Sequence, residues 1–348
     1  MIFKIANRTI GPNQSPIIIA EIGINHNGNL DQAIEIADSA IKSGAEILKH
    51  QTHIPDEEMS IEAQKTIPGN SKQSIYKIIK NCALSEDDER KMMNYIKSKK
   101  KIFISTPFSI PAVDRLVRFG VPAFKIGSGE WNNLELVKYI CKFKKPIIMS
   151  TGMSYLNELK KTVNFINKKK IPLALMHCTN LYPTPIEKSR LNSITEMSKT
   201  FKKNIIGYSD HTVGLHACYS ALSLGALIIE KHFVDTHSRK GPDVSCSMDK
   251  NQLRELIKTS KIIKSSLPGR KQPLKEESVT MNFAFASVVS KILIKKGEIL
   301  SRKNICLKRP GNGDYKAKDF VKILGKKSKK NINANTQIKK SDIKRKIL

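Results

Sequence analysis

Acidic residues are scarce in this chain: 31 Asp and Glu stand against 61 Lys and Arg, a formal net charge of +30 over 348 residues. A surplus of that size raises nucleic-acid binding. The lysines are dispersed, however, and no recognition-motif spacing accompanies them. The surplus therefore reads as a compositional bias on solvated faces, together with a site that handles anions. Paired cysteines are missing as well: the six stand alone at 82, 141, 178, 218, 246 and 306, with no C-x-x-C. That argues against a zinc ribbon or a disulfide framework and suits reduced thiols in a cytosolic protein. No stretch approaches the roughly 20 apolar residues of a membrane span. The N-terminus, MIFKIANRTIGPNQSP, carries charges and a proline where a secretory signal needs an unbroken apolar core. A soluble, cytoplasmic protein without nucleic-acid or membrane partners is the expectation. A Gly-rich dinucleotide turn is absent too, because GINHNG after the first apolar run does not fit G-x-G-x-x-G.

What is present is a series of short apolar runs, each ending on polar residues. They are Pro16–Ala20, Ala45–Leu48, Ile102–Ser105, Ala123–Ile126, Pro146–Met149, Leu173–His177, Ile205–Tyr208 and Ala226–Ile229. Between them lie segments of helical spacing, such as Leu30–Ser43 closed by Gly44, and Ser85–Lys99 opened by a Ser-x-x-Asp capping pattern. Eight strands alternating with helices over about 250 residues predict a (β/α)8 TIM barrel. The texture changes near residue 267. The expected division is a catalytic barrel over 1–267, a linker over 268–282 that includes PGRKQP, and a strand- and turn-rich small domain over 283–348.

The stretch 207–233 carries the clearest chemical hint, because it places His211 and His232 just past the carboxyl ends of two neighbouring strands. In a parallel barrel those ends adjoin, so two neutral imidazoles should converge as a candidate metal site. Two histidines make a poor closed zinc site. An open site for Mn2+, Mg2+ or Co2+, completed by water and substrate oxygens, fits better. Lys49, Lys125, Thr106, Ser128 and Ser150 end other strands and offer cations and hydroxyls suited to a phosphate and a carboxylate. Glu21 ends the first strand as a carboxylate placed to handle a proton. Plainer roles exist for each: Lys49 or Lys125 could close an ion pair with Glu21 or Glu130, and Ser128 or Ser150 could cap a helix. His50, His53, His177, His216 and His237 are read as satisfied or exposed.

The segments IIIAEIGINHNGNL, EILKHQTHIPDEEMS, IFISTPFS, FKIGSGEWNN, IIMSTGM, MHCTNLYPTP, GYSDHT, IIEKHF and GPDVSCSM, taken in order, resemble the N-acetylneuraminate (sialic acid) synthase family. FAFASVV and KRPGNGD near the C-terminus resemble that family's antifreeze-like (SAF) domain. The resemblance implies a metal-dependent condensation of phosphoenolpyruvate with N-acetylmannosamine, releasing phosphate. It also implies a domain-swapped homodimer. Carried over by motif, His211 and His232 would bind the metal; Glu21, by its place at the strand end, is the candidate general base for the water that adds. Lys49, Thr106, Lys125, Ser128, Ser150, Asn180, Ser209 and His211 would surround phosphoenolpyruvate. Gln51, Glu130, Tyr182 and Asp243 would contact the amino sugar, and Phe283 and Arg309 would reach in from the partner's small domain. A relative acting on a 6-deoxy di-N-acetylated hexose, to give legionaminic or pseudaminic acid, is the alternative.

Overall fold

Eight parallel strands close into a barrel, each pairing with its neighbours in chain order and the last with the first. The computed structural model describes residues 2–69 and 71–343. A hairpin, β1 (Phe3–Ile5) with β2 (Arg8–Ile10), precedes the barrel. The barrel strands are β3 (Ile17–Gly23), β4 (Ile47–Thr52), β5 (Ile102–Pro107), β6 (Phe124–Ile126), β7 (Ile147–Ser150), β8 (Leu173–Cys178), β9 (Ile205–Asp210) and β10 (Ile228–His232). The expected TIM barrel is the observed one.

Helix α1 (Leu30–Lys42) follows β3, with Asn29 capping it by accepting from Gln32 N. The β4 connection carries two extra helices, α2 (Pro55–Glu58) and α3 (Ile75–Cys82), before α4 (Glu86–Ser98). Then come α5 (Ile110–Arg118), α6 (Leu134–Cys141), α7 (Leu156–Lys168), α8 (Asn192–Thr200), α9 (His216–Ser223) and α10 (Lys250–Ser266). Side chains capping α4, α5, α6 and α10 satisfy first-turn N–H groups, from Ser85, Ser109, Asn133 and Asp249. Among the described residues no helix is long and apolar enough to cross a membrane.

Strand alternation sorts the core into two parts. Ile19, Ile47, Ile104, Ala123, Ile148, Ala174, Met176 and Ile228 point into the barrel, and the hairpin's Phe3, Ile5 and Ile10 pack with them. Leu48, Phe103, Phe124, Met149, Leu175, Ile206 and Ile229 point outward against the helices. The same parity continues past the apolar runs. Lys49, Thr106, Lys125, Ser150, Ser209, Glu230 and His232 face inward, two residues on from inner-core positions or at further multiples of two.

That parity corrects the strand ends. The reading from sequence stopped the last two strands at Tyr208 and Ile229, but the ladder runs on, pairing Glu230 with Ser209, Lys231 with Asp210 and His232 with Glu21. The polar residues are tolerated within strands because each side has partners. Lys231 meets Asp210 at 2.7 Å on the outer face, while Lys125 meets Glu230 at 2.9 Å inside.

The chain divides after Pro268 into two compact units. The second has its own core, built on Val288, Ile294, Leu300, Ile305, Ile323, Ile332, Ile338 and Ile343. Its regular strands are few: β11 (Ser287–Ser290) pairs with β12 (Ile305–Lys308), and single bridges do the rest. Helices α11 (Ser278–Ala284) and α12 (Phe320–Ile323) complete it. A strand-rich tail is thus corrected to a mostly irregular one, and Phe283 sits on a helix. Short extended pieces broken by Gly, Pro and Asn turns cannot sustain long ladders.

Candidate active site

The carboxyl ends of the barrel strands line a cavity of about 720 Å3. That size falls within the roughly 300–1,000 Å3 of small-molecule sites. Its base is a cluster of four buried charges. Lys49 on β4 forms an ion pair with Glu21 on β3 and lies 3.8 Å from Glu230 on β10. Lys125 on β6 donates to Glu230 at 2.9 Å and to Ser150 Oγ at 2.8 Å. Ser209 also donates to Glu230, at 3.1 Å, and Lys49 donates to Thr106 Oγ1 at 3.2 Å.

Burial and charge oppose each other here. Burial lifts the Glu21 carboxyl to about 7, against the pull of Lys49. Burial would raise Glu230 as well, but Lys125 and Lys49 together hold it down to about 2. Desolvation lowers Lys125 despite Glu230. The cluster is therefore close to neutral, with Glu21 the member nearest to exchanging a proton at neutral pH.

Beside the cluster stand the two histidines, ring centroids 5.5 Å apart, with the Tyr182 ring 4.0 Å from that of His211 and tilted 34° to it. His211 Nδ1–H donates to the Thr179 carbonyl at 2.9 Å, which leaves its Nε2 lone pair free. Burial, then His211, holds His232 well below the ordinary imidazole range, so it is neutral. Its Nδ1 is buried without a hydrogen-bond partner, 3.5 Å from Asp243 Oδ2. Among the described residues no group of three or more His, Cys, Asp or Glu is set to hold a metal. Two free imidazole donors nevertheless fit a divalent ion that completes its sphere with water and substrate oxygens. Burial would lower His211, but the neighbouring Cys178 and Thr179 raise it, so an ion there competes with a proton.

The remaining wall is neutral or acidic. Ser128 Oγ accepts from Gly152 N at 3.1 Å, and Asn180 lies over Gly152 with its Oδ1 unpartnered. A Cβ at Gly152 would collide with Asn180 and come within 2.9 Å of Ser128 Oγ, so glycine is what lets these two side chains approach. Glu130 curls over Gly127 with one buried oxygen unpartnered, and burial pushes its carboxyl up to about 7. Asp243 is raised to about 6 by burial.

All the barrel residues singled out from sequence meet at this cavity, with one distinction. Glu21 does not line it, but sits behind Lys49 and Gln51, whose Nε2 is 3.5 Å from Glu21 Oε1. Phe283 and Arg309 belong to the second unit, where both are exposed. Three contributors were missed. Glu230 follows an apolar run without a motif of its own, although its parity with His232 marks it as inward. His53, expected to be satisfied or exposed, lies 2.9 Å from Glu58 and 3.1 Å from Gln51 and also lines the cavity. The isoleucines of α3 gave no chemical signal at all.

A closed β/α barrel with a charged strand-end cavity, followed by a small separate unit, is an enzyme architecture. This chain belongs to the NeuB family, which residues 15–272 match, and residues 285–344 match the SAF domain. It is 36% identical over 332 residues to the N,N'-diacetyllegionaminic acid synthase of Campylobacter jejuni, covering 93% of this chain and 98% of that protein. It is 30% identical to human N-acetylneuraminate-9-phosphate synthase, covering 92% and 90%. Among solved structures, the sialic acid synthetase of Leptospira borgpetersenii in complex with citrate superposes with a TM-score of 0.74. Identity there is 27%, with 81% of this chain and 95% of that one covered.

Proposed function

We propose that this protein condenses phosphoenolpyruvate with an open-chain N-acetylated amino hexose, giving a nine-carbon sugar acid and phosphate. The observation that carries the reading is the pair of buried lysines, flanked by Thr106, Ser128 and Ser150, beside the two histidines in one NeuB-family barrel. N-acetylmannosamine is the sugar expected from the sequence resemblance. A 6-deoxy di-N-acetylated hexose is the second reading, favoured by the higher identity to the legionaminic acid synthase.

Lys49 and Lys125 would hold the phosphate and carboxylate of phosphoenolpyruvate, displacing part of their attraction to Glu21 and Glu230. A divalent ion, best Mn2+, held by His211 and His232, would supply Lewis-acid polarisation of the sugar aldehyde. Carbon 3 of phosphoenolpyruvate forms the new bond to the aldehyde carbon, whose oxygen takes up a proton. Water adds at carbon 2, its proton passing by way of Lys49 to Glu21 behind it. The carbon–oxygen bond to phosphate breaks as the new carbon 2 hydroxyl gives its proton to the departing phosphate and becomes the keto group. Gln51, Glu130, Tyr182 and Asp243 would orient the sugar. Phe283 and Arg309 would act from the partner subunit of a swapped dimer.

Mixing the protein with Mn2+, phosphoenolpyruvate and each amino sugar, then measuring phosphate and product mass, tests the reaction. Phosphate release and a nine-carbon product with at least one sugar are expected, and silence with every sugar would overturn it. Glu21→Ala and His232→Ala should each cut turnover by at least about 100-fold. His232→Ala should also weaken Mn2+ binding measured by calorimetry. A Glu21→Ala enzyme with near-normal turnover would remove Glu21 from the proton transfer.

A further inference from the structure

The β9–β10 ladder stops one residue short of the two histidines. Strand β10 pairs with β9 only as far as Lys231 opposite Asp210, the residues that immediately precede His232 and His211. Past that step the chains part. The His211 carbonyl accepts from Thr184 N at 2.8 Å, while His232 pairs with Glu21 on β3 and its carbonyl accepts from Met248 N at 2.7 Å. Each histidine is thus tied to a different neighbour, and the 5.5 Å between their ring centroids is fixed by something other than that ladder.

The fixing contact lies on the outer face, behind the imidazoles. Asp210 is wholly buried there. Its Oδ1 accepts from Tyr208 Oη at 3.0 Å and from Thr212 N at 2.9 Å. Its Oδ2 accepts from Lys231 Nζ at 2.7 Å, Thr212 Oγ1 at 3.1 Å and Cys218 Sγ of α9 at 3.2 Å. Lys231, buried as well, also donates to the Thr212 carbonyl at 2.5 Å. The node therefore grips the residues on both sides of His211 and the residue before His232. A buried ion pair contributes little net stability beside apolar side chains of the same volume, because desolvation offsets the attraction. What it supplies is geometry, through charge-assisted bonds that hold one arrangement.

Resting on the divalent-ion reading of the two histidines, we infer that Asp210 and Lys231 are a positioning pair: from behind, they set the separation of His211 and His232, and with it the affinity of the site for a divalent ion. Two ligands that share one ion must be held close to their productive spacing by the groups that support them. Neither Asp210 nor Lys231 lines the cavity, so their effect passes through the histidines.

The test is Mn2+ binding to the full chain without either substrate, read by calorimetry and by loss of the free-ion EPR signal. Lys231→Met and Asp210→Asn should each raise Kd about 10–100-fold, the usual cost of losing a partner behind a metal ligand. Each leaves a buried charge unpaired, so each should also unfold at lower denaturant. The double variant, Asp210→Asn with Lys231→Met, has no such charge. It should regain stability while its Kd stays raised. A Kd that recovers together with stability confines the pair to folding and overturns the inference, as does a native Kd in either folded single variant. If the single variants do not fold, Thr212→Val decides the matter, because it deletes one donor to Asp210 at nearly constant shape. It should raise Kd severalfold, and an unchanged Kd overturns the inference. A native protein that binds no Mn2+ overturns the divalent-ion reading, and this inference with it.

Discussion

Single atoms decide much of this site, and Gly152 shows it best. Its missing Cβ is the space in which Asn180 and Ser128 meet. Gly152→Ala should raise KM for phosphoenolpyruvate about tenfold and lower stability by about 1–3 kcal/mol, the usual cost of overpacking. Steady-state kinetics and denaturant unfolding would show both; an unchanged KM would detach Asn180 and Ser128 from that substrate. Glu130 is a second case. Its carboxyl has an ordinary value of 4.5 and is lifted to about 7 by burial, so the folded state holds the proton more tightly than the unfolded one. The resulting stability is complete below pH 4.5 and is lost as pH rises through 7, at most about 3 kcal/mol in all. Unfolding free energy across this window should slope downward for the native protein, with Glu21 and Asp243 contributing to the same slope, and fall less steeply for Glu130→Gln. Residues of this kind were only partly legible. Lys49, Lys125 and the histidines announce themselves by chemistry, whereas Glu230 shows itself only when strand parity is followed beyond the apolar run.

At the scale of elements, each functional strand is held from behind as well as in front. On β4, Lys49 and Gln51 face the cavity while His50 and Thr52 face outward to Glu89 of α4. Burial would raise Glu89, but His50, Thr52 and Arg115 hold it below the ordinary carboxylate range. With Glu89 ionised, His50 donates from Nδ1 and accepts at Nε2 from His26, 3.2 Å away. His26 in turn accepts from Gly28 N at 3.1 Å, so one chain of fixed tautomers ties α4 to the β3–α1 loop. Glu89→Ala should cost about 3 kcal/mol, as breaking a buried polar set does, and should raise KM for phosphoenolpyruvate through Lys49. Loss of stability with unaltered KM would confine the network to folding. Helix and strand existence could be read from periodicity, but strand ends could not. Asp210, Lys231 and Glu230 are strand residues only because partners on neighbouring strands neutralise them.

For the whole molecule, the surplus of +30 should act as a field rather than as a set of contacts. At physiological salt the screening length is about 8 Å, so dispersed lysines act together only in dilute buffer. KM for phosphoenolpyruvate should therefore rise several-fold between about 50 and 500 mM NaCl, with KM for the neutral sugar unchanged. A flat response would assign anion recognition to the buried lysines alone. The two units follow from two separate cores, one of barrel and helices and one around Val288, Ile305 and Ile338.

The sequence by itself determined the barrel, because eight apolar runs with helical segments between them leave few other ways to bury a parallel sheet. It also determined which polar residue types end those strands, since each follows its run directly. Only the tertiary structure decided which charges pair, that Glu21 lies behind Lys49, and that α3 turns isoleucines toward the cavity. Those outcomes depend on contacts between residues far apart in the chain, and such contacts leave no period or spacing to read.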